Sequence, residues 1–270
     1  MGYDLIALEN IETEALADFY RAAPPAMVAA HAIDTRSVAG ARCFVCRDFN
    51  PTLMFRRVAG LGVARPATPA DVDAVIAHMR GIGQPYAIAV GPHTPPRDLS
   101  TQLEARGFTA GYAWMKFVRS CTAPFDASTD VVVRPVGAEF AEAFSRVVVT
   151  GFGLAPAMAP WIGALPGRDG WLCIGAFLGT EPVGAAAAYI AAGYAWLGFA
   201  ATLPDHRRRG AQQAMLALRL REAAVRGAHT AVVETGERLP DKPSNSYRNI
   251  LRAGFEEIYL RKNYLSPAPR

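Results

Sequence analysis

The sequence predicts an α/β protein of two tandem halves, each a mixed central sheet flanked by helices. Three observations carry this. Apolar runs of strand length alternate with segments of helical period along most of the 270 residues, the pattern of strands joined by helices. One small phrase occurs twice: Leu103 to Gly107-Phe108 is followed by Tyr112, and Ile250 to Gly254-Phe255 is followed at the same distance by Tyr259. Between the two copies lies Ser120-Cys121-Thr122-Ala123-Pro124-Phe125-Asp126-Ala127-Ser128-Thr129, small, polar and Pro-containing as linkers tend to be. The expected domains are residues 1–122 and 130–266.

In the first half a strand is expected over 41–47 and another over 53–63. A helix over 69–80 follows, with Thr68 as its cap and Pro69 in its first turn. A strand over 86–90, a helix over 97–105 and a strand from Phe108 complete the order. Cys43-Phe44-Val45-Cys46 has the spacing of a metal or redox pair, but residues three apart on a strand point to opposite faces. No second Cys or His pair follows at ligand spacing, so buried thiols and no metal are expected.

In the second half, 131–136 reads as a strand, 138–149 as a helix, and 171–178 with 183–190 as a hairpin turning through Gly179-Thr180-Glu181. Residues 150–169, rich in Gly, Pro, Trp and Met, show no clear period; they suit either the wall of an acceptor pocket or an ordinary surface loop. Tyr194 to Ala201 is an apolar strand ended by Pro204-Asp205. Ala211, Ala214, Met215, Leu218 and Val225 then fall on one helical face, interrupted by Glu222. A strand over 230–234, a helix over 246–253 and a strand to Leu265 close the chain.

The most informative stretch joins that apolar strand to that helix: His206-Arg207-Arg208-Arg209-Gly210-Ala211-Gln212-Gln213. A helix start offers backbone N–H groups and the positive end of the macrodipole. Arginines add charge-assisted hydrogen bonds, and a glycine lets the backbone come close. A diphosphate is the expected occupant. These residues resemble the signature of the GNAT superfamily of acyl-CoA-dependent N-acyltransferases, Arg/Gln-x-x-Gly-x-Gly/Ala at the opening of a helix. Arg207 and Gly210 match it, and Gln212 stands at the last position. Ser246-Tyr247-Arg248-Asn249 through Gly254-Phe255 resembles the same superfamily's late helix, in the right order after the strand over 230–234.

That resemblance implies tandem GNAT-like domains with acetyl-CoA as co-substrate and a small amine or amino-acid-like acceptor attacking the thioester directly. It implies cofactor contacts from main-chain groups of Ala200, Ala201 and Thr202, from Arg207, Arg208, Arg209, Gly210, Ala211, Gln212 and Gln213, and from Ser246 and Asn249. Glu234, ending an apolar strand, is the expected base or amine anchor. Tyr247 stands one turn before the position where the superfamily often has a tyrosine, now Ile250. The first half holds a second match, Arg57-Val58-Ala59-Gly60-Leu61-Gly62, but its next helix begins several residues later. That half is expected to be a degenerate copy.

A net charge of +4, from 28 basic and 24 acidic residues, suits a small polyanion at least as well as nucleic acid. No aromatics interleave the arginines, so nucleic acid is not expected as partner, and the apolar stretches are too broken by Gly, Pro and charge to span a bilayer, so neither is a membrane; a catalytically silent acyl-CoA-binding module is the competing reading, and a homodimer is left open. The first residues lack a basic flank and an apolar core, which points to a cytoplasmic protein.

Overall fold

A computed structural model of the protein describes residues 3–49, 53–127, 129–240 and 244–268; Ser128, in the expected linker, lies outside these. In chain order the elements are α1 (Leu5–Arg21), α2 (Pro25–His31), β1 (Asp34–Val38), β2 (Ala41–Val45), β3 (Arg57–Ala59), α3 (Pro69–Arg80), β4 (Ala87–Val90), α4 (Leu99–Glu104) and β5 (Thr109–Ser120). There follow β6 (Val132–Val136), α5 (Ala141–Phe152), α6 (Ala159–Ile162), β7 (Trp171–Leu178), β8 (Glu181–Ala191), β9 (Tyr194–Thr202), α7 (Ala211–Val225), β10 (Thr230–Gly236), α8 (Asn245–Arg252) and β11 (Glu256–Leu265). The expected α/β alternation is present, with α3 and β7 at the expected bounds.

The chain forms two compact units that do not follow a cut at residue 122. One comprises Met1–Lys116, Thr235–Glu237 and Ile258–Arg270; the other Phe117–Glu234 and Arg238–Glu257. In the first, the strand order is β1-β2-β3-β4-β11-β5. Strand β3 runs parallel to β4, and β11 closes antiparallel on β4, with Tyr264 opposite Ile88. The final strand of the chain thus completes the sheet of the N-terminal unit.

In the second unit the order is β5-β10-β9-β8-β7-β6, the last part of β5 lying beside β10. Cys121 N–H donates to His229 C=O there, at 3.0 Å. Strands β6 to β9 are antiparallel, and β9 and β10 are parallel. Four consecutive residues of β8, Ala185 to Ala188, have no exposed surface. Successive strand residues point to opposite faces, so both faces of this sheet are covered. α5 packs on β8 and β9, and α7 on β6 to β9.

Several expectations are corrected. The strand expected over 53–63 contracts to Arg57–Ala59, preceded by a 3-10 turn at Leu53–Phe55. Val225 is 78% exposed, because the helix ends beside it at Arg226 and the apolar face has already rotated away. Helix α1 had no counterpart in the sequence reading. It is capped by Asp4, whose Oδ1 accepts from Ala7 N–H at 3.0 Å. Its inward face carries Leu8, Ile11, Ala15, Leu16 and Phe19 but also Glu9 and Glu12, and those acids interrupt the apolar stripe.

Cys43, Cys46, Cys121 and Cys173 are buried free thiols. Burial pushes the Cys43 thiol up to about 12 and that of Cys46 to about 11. No group of three or more His, Cys, Asp or Glu side chains fit for a metal ion occurs among the described residues. Nor is any helix among them long and apolar enough to cross a membrane.

Candidate functional site

The C-terminal unit holds a cavity of about 700 Å³ where β9 gives way to α7. Two irregularities open it. Register between β9 and β10 runs from Tyr194–Thr230 to Leu197–Val233 and stops, although β9 continues to Thr202 and β10 to Gly236. On the other side of β9, Ala185 pairs with Ala201 and Ala187 with Gly198, so Phe199 and Ala200 oppose the single residue Ala186. This is a β-bulge, which re-aims a strand locally. Phe199 has φ of 50°, a left-handed conformation that costs a non-glycine residue on the order of 1–3 kcal/mol. Ala200 of the bulge, with Ala201 and Thr202 after it, lines the cavity.

Helix α7 starts at its edge. Gly210, with φ of 78°, is the N-cap and supplies no side chain to the first turn. Its C=O accepts from Ala214 N–H at 3.0 Å. Ala211, Gln212 and Gln213 therefore present the helix opening to the cavity they line. Gln212, where the anion-loop pattern has a small residue, turns its amide onto Thr202 Oγ1 at 3.1 Å, and Gln213 donates to Asn249 C=O at 2.9 Å. Arg207 donates to the carbonyls of Thr202 at 3.3 Å and Gly151 at 3.4 Å, tying the loop to β9 and α5. Helix α5 approaches β9 closely at Gly151, where a Cβ would meet that of Ala201 at 2.5 Å.

The opposite wall is one face of α8. Ser244 caps it through Tyr247 N–H at 3.1 Å. Asn245, Arg248, Asn249 and Arg252 recur at helical spacing on the cavity side with Ser246, while Tyr247 and Ile250 are buried.

Of the twelve residues expected at the cofactor, eleven line this one cavity; Arg209 does not, because it turns to Asp130 at 3.2 Å. Tyr247 is likewise not among the lining residues. Its ring meets Phe117 edge-on at 4.9 Å and lies 4.8 Å from the Arg238 guanidinium, and its hydroxyl donates to Glu257. Burial, with Glu257 beside it, pushes the phenol up to about 12. Glu234 stands half-buried one residue past the last β9–β10 rung. His206, Asn245, Arg248 and Arg252 line the cavity without having been expected at the cofactor, and Gly151 and Phe152 come from the 150–169 segment that suited a pocket wall or a surface loop. The polar stripe of α8 was available as a signal; the close approach of α5 to β9 is tertiary.

The second match to the anion signature, in the N-terminal unit, is closed. Arg57 is buried in β3 and donates to Glu12 at 2.5 Å. A Cβ at Gly62 would lie 2.3 Å from Pro95 C=O, so protein fills the space beside that turn. The next helix, α3, is capped by its own residues: Thr68 Oγ1 accepts from Asp71 N–H at 3.2 Å, and Asp71 accepts from Thr68 N–H at 2.8 Å. Arg65 neutralises Asp71 at 2.7 Å and holds its carboxyl well below the usual range. One helix start carries a capping box and a carboxylate; the other carries only a glycine.

No protein family's sequence model matches the chain, and no curated protein does. Solved structures do match. A GCN5-related N-acetyltransferase from Kribbella flavida superposes with a TM-score of 0.64 at 19% identity, over 94% of each chain. The chain has the GNAT fold. A GCN5-related N-acetyltransferase from Sphaerobacter thermophilus matches with a TM-score of 0.57 at 14% identity, over 78% of this chain and 71% of that one. A tandem GNAT protein from the clavulanic acid biosynthesis pathway matches with a TM-score of 0.53 at 14% identity, over 78% and 74%. Within the GNAT fold, the parted strand and the glycine-opened helix sit side by side on one cavity.

Proposed function

We propose that this chain is an acetyl-CoA-dependent N-acetyltransferase acting on the amine of a small or amino-acid-like acceptor. The observation that carries the reading is the start of α7 behind Gly210, which has no side-chain cap, in a cavity lined by Arg207 and Arg208 and, among the described residues, by no Asp or Glu. A diphosphate placed there meets oriented amides and guanidinium groups together. Main-chain groups of Ala200 to Thr202, past the last rung with β10, suit an extended pantetheine arm. The fold supports the same class of reaction.

In this reading the amine nitrogen attacks the thioester carbonyl, a C–N bond forms, the C–S bond breaks and coenzyme A leaves as the thiol. Main-chain donors at the Phe199–Ala200 bulge would steady the oxygen as it gains charge. Glu234, at the mouth of the parted strands, takes the amine proton directly or through water. The reading assigns no step to Tyr247, whose hydroxyl donates to Glu257 and which does not line the cavity.

The test is calorimetry with acetyl-CoA followed by thiol release over a panel of amines. The parent chain is expected to bind saturably and to release thiol with at least one amine. Gly210→Trp and Arg207→Ala are each expected to weaken binding by about tenfold or more, in keeping with the loss of charge-assisted hydrogen bonds and of backbone approach. If both variants fold and bind as the parent does, the cofactor assignment is wrong. A silent acyl-CoA-binding module is favoured by one observation, that no carboxylate or phenol lines the cavity among the described residues. Binding without turnover on every amine would select it. The localisation read from the sequence, cytoplasmic, belongs with this proposal.

A further inference from the structure

We propose that the N-terminal unit is a ligand-binding module whose own cavity takes a small neutral apolar alcohol or phenol, the ligand hydroxyl donating to Glu9. The site stands whether or not the chain binds coenzyme A.

The cavity, of about 310 Å³, lies between the start of α1 and the loop that follows β4. The chain enters it on leaving two parallel strands: Val63 follows β3, and Gly91 to Pro95 follow β4. The crevice outside the carboxyl ends of parallel strands is where an open α/β sheet most readily takes a ligand. Small-molecule sites run from about 300 to 1,000 Å³, so this one suits an occupant of a single ring. His93 meets the Tyr259 ring edge-on at 6.0 Å on its wall.

The remaining wall is apolar at Leu5, Ile6, Val63 and Pro95, and Ile6, 49% exposed, stands at the mouth. Glu9 is the polar contribution of α1, four residues after Leu5 and so on the same face. The two acids of this helix differ. Glu12 is enclosed by Arg57, Lys116 and Arg261, which take both its oxygens. Glu9 has one guanidinium, Arg261 at 2.8 Å, and the Tyr259 hydroxyl. A carboxylate offers about four lone pairs, so Glu9 keeps acceptor capacity where it lines the cavity.

Charge then selects the ligand. Burial would push the Glu9 carboxyl up, but Arg261 and Lys116 outweigh it and hold the group below its ordinary value of 4.5. Its negative charge is answered by Arg261, with Lys116 4.0 Å away. An ammonium ligand would crowd those cations, and a carboxylate ligand would face Glu9 itself. Either ion would also leave water for an apolar wall, a cost that a neutral hydroxyl with an acceptor in reach avoids. The helix start that could hold a diphosphate in this unit is closed by the Thr68–Asp71 capping box, so the ligand is bound here and not acylated.

The experiment titrates benzyl alcohol, toluene, benzylammonium and benzoate into the full chain, followed by saturation-transfer NMR, and repeats the series on Ile6→Trp and Glu9→Gln. The parent is expected to bind benzyl alcohol saturably and about tenfold more tightly than toluene, the worth of a hydrogen bond to a charged acceptor, and more tightly than either ion. Ile6→Trp, filling the mouth, is expected to abolish that binding with the urea midpoint near the parent's. Glu9→Gln is expected to narrow the preference over toluene to about threefold or less. Toluene equal to benzyl alcohol in the parent overturns the role of Glu9. Either ion as the tightest ligand overturns the neutral occupant. No saturable binding of any probe, or unchanged binding by a folded Ile6→Trp, overturns the site.

Discussion

At the scale of single residues, Gly151 and Ala201 set the spacing between helix α5 and the strand that lines the cavity. In most helices a glycine replaced by alanine stabilises the fold by up to about 1 kcal/mol. Here the added methyl would stand 2.5 Å from the Ala201 Cβ, and neither atom is the end of a flexible side chain. Overpacking of this kind costs about 1–3 kcal/mol, so the clash outweighs the gain. Gly151→Ala is expected to lower the urea midpoint and to weaken acetyl-CoA binding, and Ala201→Gly added to it is expected to restore both. A midpoint equal to the parent's would show that α5 yields freely. The arginine-glycine loop before α7 was legible in the sequence because its signal is local: arginines, a glycine and a helix start in consecutive positions. The place of Tyr247 was not, because only the tertiary structure brings Glu257 to its hydroxyl.

At the scale of elements, two helix starts with similar sequence signals have different fates. Helix α3 closes its first turn with the Thr68–Asp71 capping box and the Arg65 ion pair, while α7 leaves its first turn to the cavity. Thr68→Ala is therefore expected to cost about 1 kcal/mol of stability, as N-cap removal commonly does, and to leave acetyl-CoA affinity unchanged. Urea unfolding and calorimetry on one sample check both halves of this statement. A loss of affinity would mean that the N-terminal unit takes part in binding after all. The Thr68 cap and Pro69 start were readable from the sequence; the carbonyl of Pro95 filling the space beside Gly62 was not.

At the scale of the whole molecule, a buried charge cluster ties four elements of the N-terminal unit together. Glu12 of α1 accepts from Arg57 of β3 at 2.5 Å, from Lys116 of β5, and from Arg261 of β11 through two bonds of 2.7 Å. Glu9 accepts from Tyr259 and from Arg261 at 2.8 Å. Burial alone would push the Glu12 carboxyl up, but Arg261, Lys116 and Arg57 outweigh it and hold the group well below its ordinary value of 4.5. A carboxyl depressed in the folded state stabilises at pH above its unfolded value and loses that contribution as pH falls through the folded one. The unfolding midpoint is thus expected to drop as pH falls below about 4.5. Glu12→Gln is expected to lower stability by about 3–5 kcal/mol at neutral pH, leaving buried cations short of a counter-charge, and to make the acid decline shallower. Thermal melts of parent and variant between pH 3 and pH 7, a window spanning about two to three units around ordinary carboxylate values, decide it. A variant as stable as the parent would show that water or rearrangement compensates the cluster.

By itself the sequence determined the alternation of strands and helices, the doubled Gly-Phe phrase and the arginine-glycine loop, since periodicity, turn residues and caps act over a few neighbouring positions. Only the tertiary structure decided which sheet each final strand enters. The strands after Phe108 and Phe255 carry the same local signal, yet β11 closes on β4 while the end of β5 passes to the other unit. Tyr112 is 44% exposed, whereas Tyr259 is 8% exposed, its hydroxyl donating to Glu9 and its ring edge-on to His93. The choice rests on partners far apart in the chain, such as Glu12 with Arg261, and no pattern within one element records a contact made across 249 residues.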